Sequence, residues 1–267
     1  MRAIFTEAAS LLGRHVESVT RVAGGDLSFV ARLSLSGGDN VIAKRSDRVV
    51  EEARMLAAIA ATGTAVPQIL AVQDDLLLLE DLPSSGRLAR NWAHLAELLD
   101  HLHAPSQAAY GWDRDYGFGD VPILNGRSDN WVTFWAEKRL RCHVPHLSAQ
   151  LAHRVERLAD RLGEHIPNRP PSALLHGDLW GGNILVGHDQ ISGLIDPACY
   201  HGDREVDLAM LGLFDQPPQI FYDACGLAQG WEERQPVYRL WPLLVHVRLF
   251  GGTYHQQAGA CLEQLGL

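Results

Sequence analysis

Two carboxylates and one amide in the middle of the chain have the types and the spacing of a phosphoryl-transfer site. Asp178 and Asn183 belong to the segment His176-Gly-Asp-Leu-Trp-Gly-Gly-Asn, and Asp196 follows a short apolar run. A histidine, an aspartate two residues later and an asparagine five residues beyond that match the catalytic loop of kinases. Asp178 would accept or orient the proton of an attacking hydroxyl. Asn183 and Asp196 would offer hard oxygen ligands for Mg²⁺ between nucleotide phosphates.

Asp, Asn and Gly also favour simple turns, so the same segment has a purely structural interpretation. The strand-like runs 184–186 and 191–195 and the presence of Asp196 favour the catalytic one. We expect His176 to brace the loop, because Asp178 holds the position of the catalytic carboxylate.

A lysine in the first third of the chain fits the same chemistry. Lys44 ends the strand-like run Val-Ile-Ala-Lys, where kinases carry the lysine that contacts the α- and β-phosphates. Glu52 lies in the next predicted helix, placed to pair with Lys44 and hold it in position. Glu51 is the alternative partner, because one helical step decides which carboxylate faces the lysine.

Two further segments are weaker candidates for nucleotide contacts. Gly24 and Gly25 precede an aspartate between two strand-like runs, and their backbone N–H groups could face phosphate. The segment is not the G-x-G-x-x-G of protein kinases, and an ordinary hairpin explains it equally well. Glu80 and Leu82 lie where a hinge would offer backbone groups to adenine, an assignment that rests on position alone.

The elements that must position these residues change in kind near Leu82-Pro83. Before this point we predict a helix over 51–61, a hairpin at Gly37-Gly38, and strands over 16–22, 27–35, 41–44, 68–72 and 76–79. After it, apolar periodicity predicts helices over 88–102, 129–142, 149–165, 204–214 and 237–265, with strands at 173–175, 184–186 and 191–195. The sequence therefore predicts an α+β protein with a small sheet lobe, 1–82, and a larger, mainly helical lobe, 83–267.

Composition limits the other possibilities. The 267 residues are 46% hydrophobic and 21% charged, as in ordinary globular proteins, and the formal net charge of −9 disfavours nucleic-acid and anionic-membrane partners. The four cysteines lack the spacing of a disulfide framework or a zinc knuckle. With no apolar run long enough for a bilayer and no signal-peptide core, we expect a soluble, cytoplasmic protein.

Taken together, these segments resemble the fructosamine/ketosamine-3-kinase family, which is related to aminoglycoside and choline kinases. The run Leu175–Asn183 is similar to the catalytic signature of that family, and Asp196-Pro-Ala followed by 200–210 is similar to its metal-site segment. The small-lobe matches around Gly24, Lys44 and Glu52 are looser.

The resemblance implies a two-lobed protein-kinase-like fold and an ATP- and Mg²⁺-dependent enzyme. Its acceptor would be the 3-hydroxyl of a ketosamine, either a small molecule or a glycated lysine on a protein. Two rival interpretations remain open: an aminoglycoside- or choline-type phosphotransferase, and a nucleotide-binding pseudokinase without activity.

Two points stay open in the second half of the chain. Only a few residues separate Asp196 from the acidic run 203–207, which leaves no room for a long activation loop and favours a compact substrate. Asp203, Glu205 and Asp207 could cap the following helix, buttress the catalytic loop or meet a substrate amine. We expect the tryptophans, including Trp180, to be core residues, with Trp131 and Trp241 as alternative linings of a sugar cleft.

Overall fold

The computed structural model describes residues 2–22 and 29–267. The chain divides into two compact units, one formed by Met1–Asn91 with Asn183–Pro197 and the other by Trp92–Gly182 with Ala198–Leu267. Segments 83–91 and 183–197 thus group with the first unit, whereas the predicted lobe boundary lies at residue 82. The division into lobes 1–82 and 83–267 stays a prediction. Gly24 and Gly25 lie outside the described residues.

The first unit is built on a five-stranded antiparallel sheet with the order β1-β2-β3-β5-β4. The strands are β1 (Val16–Arg21), β2 (Phe29–Leu35), β3 (Asn40–Arg45), β4 (Ile69–Gln73) and β5 (Leu76–Glu80). The predicted hairpin joins β2 to β3, and Gly37 and Gly38 take φ values of +100° and +92° in its turn. Such angles favour glycine, which explains the glycine pair in the sequence.

Two helices cover the two faces of this sheet. Because strand side chains alternate, Leu33 and Leu78 pack with α1 (Arg2–Leu12), whereas Leu77 and Leu79 pack with α2 (Val49–Ala61). A short hairpin, β9 (Ile184–Val186) and β10 (Ile191–Leu194), also belongs to this unit. It is attached by a hydrogen bond of 2.9 Å from the Leu194 N–H to the Ala65 carbonyl.

The second unit is mainly helical. Its helices are α3 (Trp92–Leu102), α4 (Trp131–Trp135), α5 (Ala149–Asp160), α6 (Glu205–Phe214), α7 (Gln219–Cys225), α8 (Trp231–Phe250) and α9 (Tyr254–Gln264). Two short antiparallel pairs accompany them, β6 (Tyr116–Phe118) with β7 (Val121–Ile123) and β8 (Ala173–Leu175) with β11 (Tyr200–Gly202). The sheet of the first unit and the helices of the second confirm the predicted α+β class. In the part of the chain that the structure describes, no helix has the length and hydropathy to cross a bilayer.

Several predicted helices are shorter or broken in the structure. The segment predicted as one helix over 88–102 is a 3₁₀ turn (Leu88–Arg90) followed by α3. The predicted helix 237–265 is two helices, because Gly251 and Gly252 take φ values of +63° and +57° between α8 and α9. A right-handed helix cannot continue through two left-handed residues. After α4 the chain continues as a π-helical and then a 3₁₀ turn up to His146.

Aromatic side chains fill the core of the second unit. Trp131 is fully buried, stacks on Phe134 at 5.4 Å between ring centroids, and donates a hydrogen bond of 3.0 Å to the Tyr238 hydroxyl. Trp241 is 2% exposed. The alternative in which Trp131 and Trp241 line a sugar cleft is therefore wrong, because neither ring has surface left for a ligand.

Candidate active site

Lys44 lies between two carboxylates. Its Nζ atom is 2.5 Å from Glu52 Oε1 and 2.5 Å from Asp196 Oδ1. The Lys44 and Glu52 side chains are almost fully buried, whereas the Asp196 side chain is 45% exposed. Strand β3 and helix α2 produce this geometry, because Lys44 follows Ile42 by two residues and so points to the sheet face that α2 covers.

The structure also distinguishes the two glutamates of α2. Glu52 pairs with Lys44, while Glu51 pairs with Arg54 at 2.9 Å. Burial acts to lower the pKa of Lys44, but the charges of Glu52 and then Asp196 outweigh it and raise the pKa above its ordinary value. Lys44 is thus a buried cation that pairs with the buried carboxylate of Glu52 and with the more exposed carboxylate of Asp196. Such a cation suits an anionic ligand like phosphate.

Asn183 and Asp196 flank the same end of the β9–β10 hairpin. Leu194 pairs with Ile184 at this end, and the Ile195 N–H donates to the Asn183 carbonyl at 3.0 Å. Asp196 has a φ of +54°, which is uncommon for a residue with a Cβ atom and costs about 1–3 kcal/mol. Backbone strain of this kind concentrates at functional sites.

The oxygens of Asn183 and Asp196 are of the type that Mg²⁺ prefers, so the donor set fits this ion. Among residues 2–22 and 29–267, no group of three or more His, Cys, Asp or Glu side chains is arranged as a metal site. The candidate donors here are an amide and a carboxylate, with phosphate oxygens expected to supply further ligands.

Asp178 lies in a loop that follows β8 in the second unit. Its backbone N–H donates to His176 Nδ1 at 3.3 Å, and His176 is fully buried, so this histidine braces the loop. Gly177 has a φ of +77°, and a Cβ atom there would lie 2.1 Å from the Ala198 carbonyl oxygen. The residue before Asp178 must therefore be glycine.

Asp207 on α6 anchors this loop through hydrogen bonds to its backbone. It is fully buried and accepts the backbone N–H groups of His176 at 2.7 Å and Gly177 at 2.9 Å. His103 at the end of α3 donates its Nε2–H to the same carboxylate at 2.9 Å. Three donors on one carboxylate satisfy its charge without solvent and fix the backbone just before Asp178.

The other two acidic residues of the run 203–207 also form ion pairs or hydrogen bonds within the second unit. Glu205 forms a bidentate ion pair with Arg234, with distances of 2.6 and 2.8 Å. Asp203 accepts the Tyr238 hydroxyl at 2.8 Å and caps α6 through the Glu205 N–H at 3.1 Å. Of the three roles left open by the sequence, capping holds for Asp203 and buttressing of the loop for Asp207.

Replacing Asp207 by alanine is expected to lower the free energy of unfolding by about 3 kcal/mol or more. The change leaves three buried donors without an acceptor, and each such donor costs about 1–3 kcal/mol. Urea unfolding followed by circular dichroism measures the loss, and Asp207→Asn, which keeps one acceptor oxygen, should lose less. Asp223→Ala, at an exposed position of α7, is the control. Equal effects of Asp207→Ala and Asp223→Ala would contradict the anchoring role.

Asp203 makes stability depend on pH. Burial, and then the charge of Glu205, raises the pKa of Asp203 from 3.8 to about 6 in the folded protein. The folded state thus holds this proton more tightly than the unfolded one, so the contribution to stability is full below pH 3.8 and is lost as the pH rises through 6.

Asp203→Asn cannot ionise and is expected to stabilise the protein at pH 8 by roughly 3 kcal/mol, in proportion to the pKa shift. The gain should shrink as the pH falls from 6 toward 4. Urea unfolding of both proteins at pH 5 and pH 8 measures the difference. An effect of equal size at the two pH values would show that Asp203 ionisation is not its cause.

Two features of the loop were not foreseen from the sequence. Asp215, just after α6, accepts the Gly181 N–H at 2.6 Å, so carboxylates at both ends of α6 hold the catalytic loop. Trp180 is 42% exposed, and the prediction that it is a core residue is wrong. Its ring covers Gly182, where a Cβ atom would lie 2.3 Å from it. Nothing in the local pattern marks Asp215 or His103, because their partners are distant in sequence.

The remaining predicted positions have less distinctive surroundings. Glu80 is exposed at the end of β5, where its carboxylate accepts the Gln68 N–H at 3.2 Å, and Leu82 is half-buried two residues later. Their roles in adenine binding stay predictions, as do those of Gly24 and Gly25.

The chain matches a family model described as fructosamine kinase over residues 2–267. A "Probable ketoamine kinase" of Klebsiella aerogenes is 35% identical over 273 residues, covering 94% of each chain. A solved structure of a "putative fructosamine-3-kinase" from Thermobifida fusca is 29% identical with a TM-score of 0.90, covering 99% of this chain and 98% of that one.

More distant likeness extends beyond this family. A choline/ethanolamine kinase family protein from Mesorhizobium loti has a TM-score of 0.67 at 14% identity, covering 99% of this chain and 92% of that one. At such low identity the likeness concerns the fold alone. The predicted protein-kinase-like fold is confirmed by these structures.

Proposed function

The chain belongs to the fructosamine kinase family, and we propose that it transfers the γ-phosphoryl group of ATP to the 3-hydroxyl of a ketosamine. The observation that carries the proposal is the buried Lys44 ammonium held between Glu52 and the exposed Asp196. This cation would contact the α- and β-phosphates of ATP, and Glu52 keeps it in place.

Asp178 would be the catalytic residue on the acceptor side. It accepts or orients the proton of the 3-hydroxyl while that oxygen attacks the γ-phosphorus. The new bond joins the sugar oxygen to phosphorus, the bond to the β-phosphate oxygen breaks, and ADP leaves. Asp207 and His176 supply positioning, since they hold the backbone on which Asp178 stands. Catalysis then rests mainly on orientation and on charge neutralisation.

Asn183 and Asp196 would hold magnesium. The ion neutralises charge on the phosphate oxygens when it is bound. The strained backbone of Asp196 and the shared hairpin end of the two residues support this assignment. Lys44 is also expected to keep the Asp196 carboxylate oriented before nucleotide binds, because its ammonium already contacts Oδ1.

The short segment between Asp196 and α6 supports a compact substrate. Only residues 197–204 separate them, and part of this stretch is β11. Little chain remains for a loop that could bind an extended peptide. A free ketosamine or a single glycated lysine side chain on a protein surface fits this limit. We place the reaction in the cytoplasm, because all four cysteines are thiols, as is common in a reducing compartment.

Phosphorylation at carbon 3 has a chemical consequence. A ketosamine carries its amine on carbon 1 and its carbonyl on carbon 2, so it can enolise toward carbon 1. A phosphate on carbon 3 is then allylic to the enaminol and leaves as inorganic phosphate, whereas hydroxide is a poor leaving group. Hydrolysis of the product releases the amine. The proposed kinase would thereby reverse glycation.

A substrate panel tests the proposal against its rivals. Purified protein, ATP and Mg²⁺ are incubated with ribulose-, erythrulose- and fructose-modified lysine, an aminoglycoside and choline, and ADP release is measured. We expect turnover of at least one ketosamine at a kcat/KM well above that of the other acceptors. Turnover of the aminoglycoside or choline alone would support the rival phosphotransferase, and ATP binding without any turnover would support a pseudokinase.

A further inference from the structure

Five aromatic rings in the second unit form a continuous strip that begins on the catalytic loop. The aromatic strip consists of Trp180, Phe214, His246, Phe250 and Tyr254. Trp180 meets Phe214 edge-on at 6.4 Å between centroids, and Phe214 lies 5.3 Å from His246. His246 in turn contacts Phe250 at 5.6 Å and Tyr254 at 4.8 Å.

The strip is open to solvent at its two ends. Trp180 is 42% exposed and Phe250 is 58% exposed, while the rings between them are half-buried. Single apolar residues scattered over a protein surface are ordinary. The rings of the aromatic strip instead contact one another, and the first of them, Trp180, is two residues from the proposed catalytic aspartate. Trp180 is also fixed in place, because its ring packs on Gly182 and Asp215 holds Gly181. A surface held in this way loses little entropy when it binds a ligand.

The aromatic strip and its neighbouring carboxylate suit a ligand that joins an ammonium group to an apolar group. Burial lowers the pKa of His246 and so disfavours a positive charge on this ring, although its hydrogen bond of 2.7 Å to the Pro242 carbonyl acts in the opposite direction. The Asp215 carboxylate follows Phe214 directly in the chain. Aromatic faces and a nearby carboxylate both attract ammonium groups, and the rings add contact area for alkyl or aryl carbon.

We propose that the aromatic strip binds the carrier of the ketosamine, that is, the alkyl or arylalkyl group on the substrate nitrogen. This inference rests on the proposed function. Only three carbons separate the amine nitrogen on carbon 1 from the reacting oxygen on carbon 3, and the amine is a secondary ammonium at neutral pH. With the sugar at Asp178, the carrier continues along Trp180 toward Phe250. The enzyme then prefers ketosamines whose carrier has a sizeable apolar part.

The test compares two substrates that share one sugar and differ only in the carrier. Ribulose-modified methylamine has a minimal carrier, and ribulose-modified 8-phenyloctylamine has an apolar carrier long enough to follow the strip from Trp180 to Phe250. We expect the unsubstituted enzyme to show a higher kcat/KM for the phenyloctyl adduct. Phe250→Ala is expected to lower the ratio of the two kcat/KM values about three- to tenfold, because one ring contact is lost. Ile220→Ala is the matched control, since Ile220 is 73% exposed on α7 and lies outside the strip.

Each outcome decides between this inference and the proposed function. Turnover of the methylamine adduct tests the kinase activity alone. If the enzyme turns this adduct over but Phe250→Ala leaves the ratio of the two kcat/KM values unchanged, only the carrier site is overturned. A change in sedimentation on Phe250→Ala with an unchanged ratio would identify the strip as a contact between copies of the chain, also against the proposal. Failure of the unsubstituted enzyme to act on either adduct would overturn the carrier site, and failure on every ketosamine of the substrate panel as well would overturn both proposals.

Discussion

Asp178→Ala is expected to lower kcat about 1,000-fold while the affinity for ATP stays within a few-fold of the unsubstituted protein. Removing the carboxylate leaves the attacking hydroxyl without an oriented proton acceptor. Lys44, which would contact the phosphates, and Asp196, which would hold magnesium, are untouched. Coupled detection of ADP measures kcat, and calorimetry measures nucleotide binding.

Asp178→Asn separates chemistry from folding. The amide keeps the shape of the side chain and cannot accept a proton as a carboxylate does, so the loss in kcat should persist. The backbone N–H bonds from His176 and Gly177 to Asp207 do not involve the Asp178 side chain, and both variants should therefore fold normally. Turnover within a few-fold of normal in a folded variant would reduce Asp178 to a turn residue.

Asp196→Ala is expected to weaken binding of ATP in the presence of Mg²⁺ at least tenfold, and to remove most of the magnesium dependence of that binding. The Asp196 carboxylate is 45% exposed beside Lys44, and its loss would leave phosphate charge poorly compensated. Titration calorimetry with and without Mg²⁺ measures both effects, at about 1.4 kcal/mol for each factor of ten.

The chain offers a matched control for the strained backbone at this position. Asp74, in the turn between β4 and β5, has a φ of +48° and an exposed side chain, against +54° for Asp196. Alanine at either position meets the same disfavoured conformation, so Asp74→Ala should share any loss of stability but keep normal nucleotide affinity. Equal affinities in Asp196→Ala and the unsubstituted protein would remove Asp196 from the proposed metal site.

Local pattern was sufficient for much of the fold. The alternation of buried and exposed residues in β2 and β3, with glycines between them, predicts a hairpin that the structure contains. Where predicted helices were too long, the cause was local as well. Hydrophobic spacing over 237–265 suggests one helix, but Gly251 and Gly252 take left-handed conformations that end it.

The candidate site was predictable where spacing in the chain carries the information. Lys44 and the pair Asp178 and Asn183 follow motif spacings, whereas the choice between Glu51 and Glu52 depends on the rotation of α2 about its axis. A single residue step turns a helix by about 100°, and tertiary packing sets that rotation. In the structure Glu52 faces Lys44.

The exposure of Trp180 was not predictable from the sequence. Composition places tryptophan in cores by default, and Trp131 and Trp241 are indeed buried. Trp180 is the exception. It lies on the catalytic loop, where it packs against Phe214 and Gly182 and stays 42% exposed. The contact of His103 with Asp207 bridges 104 residues and that of Asp215 with Gly181 bridges 34 residues, a range at which no sequence motif operates.

The position of the transferred phosphate tests the central proposal most directly. Purified protein is incubated with ATP, Mg²⁺ and a ketosamine accepted in the substrate panel, and ³¹P and ¹H NMR locate the new phosphoester. We predict a phosphate on the oxygen of carbon 3, followed by release of inorganic phosphate and the unmodified amine in equal amounts. A phosphate on any other oxygen, or a stable product that retains its amine, would contradict the account.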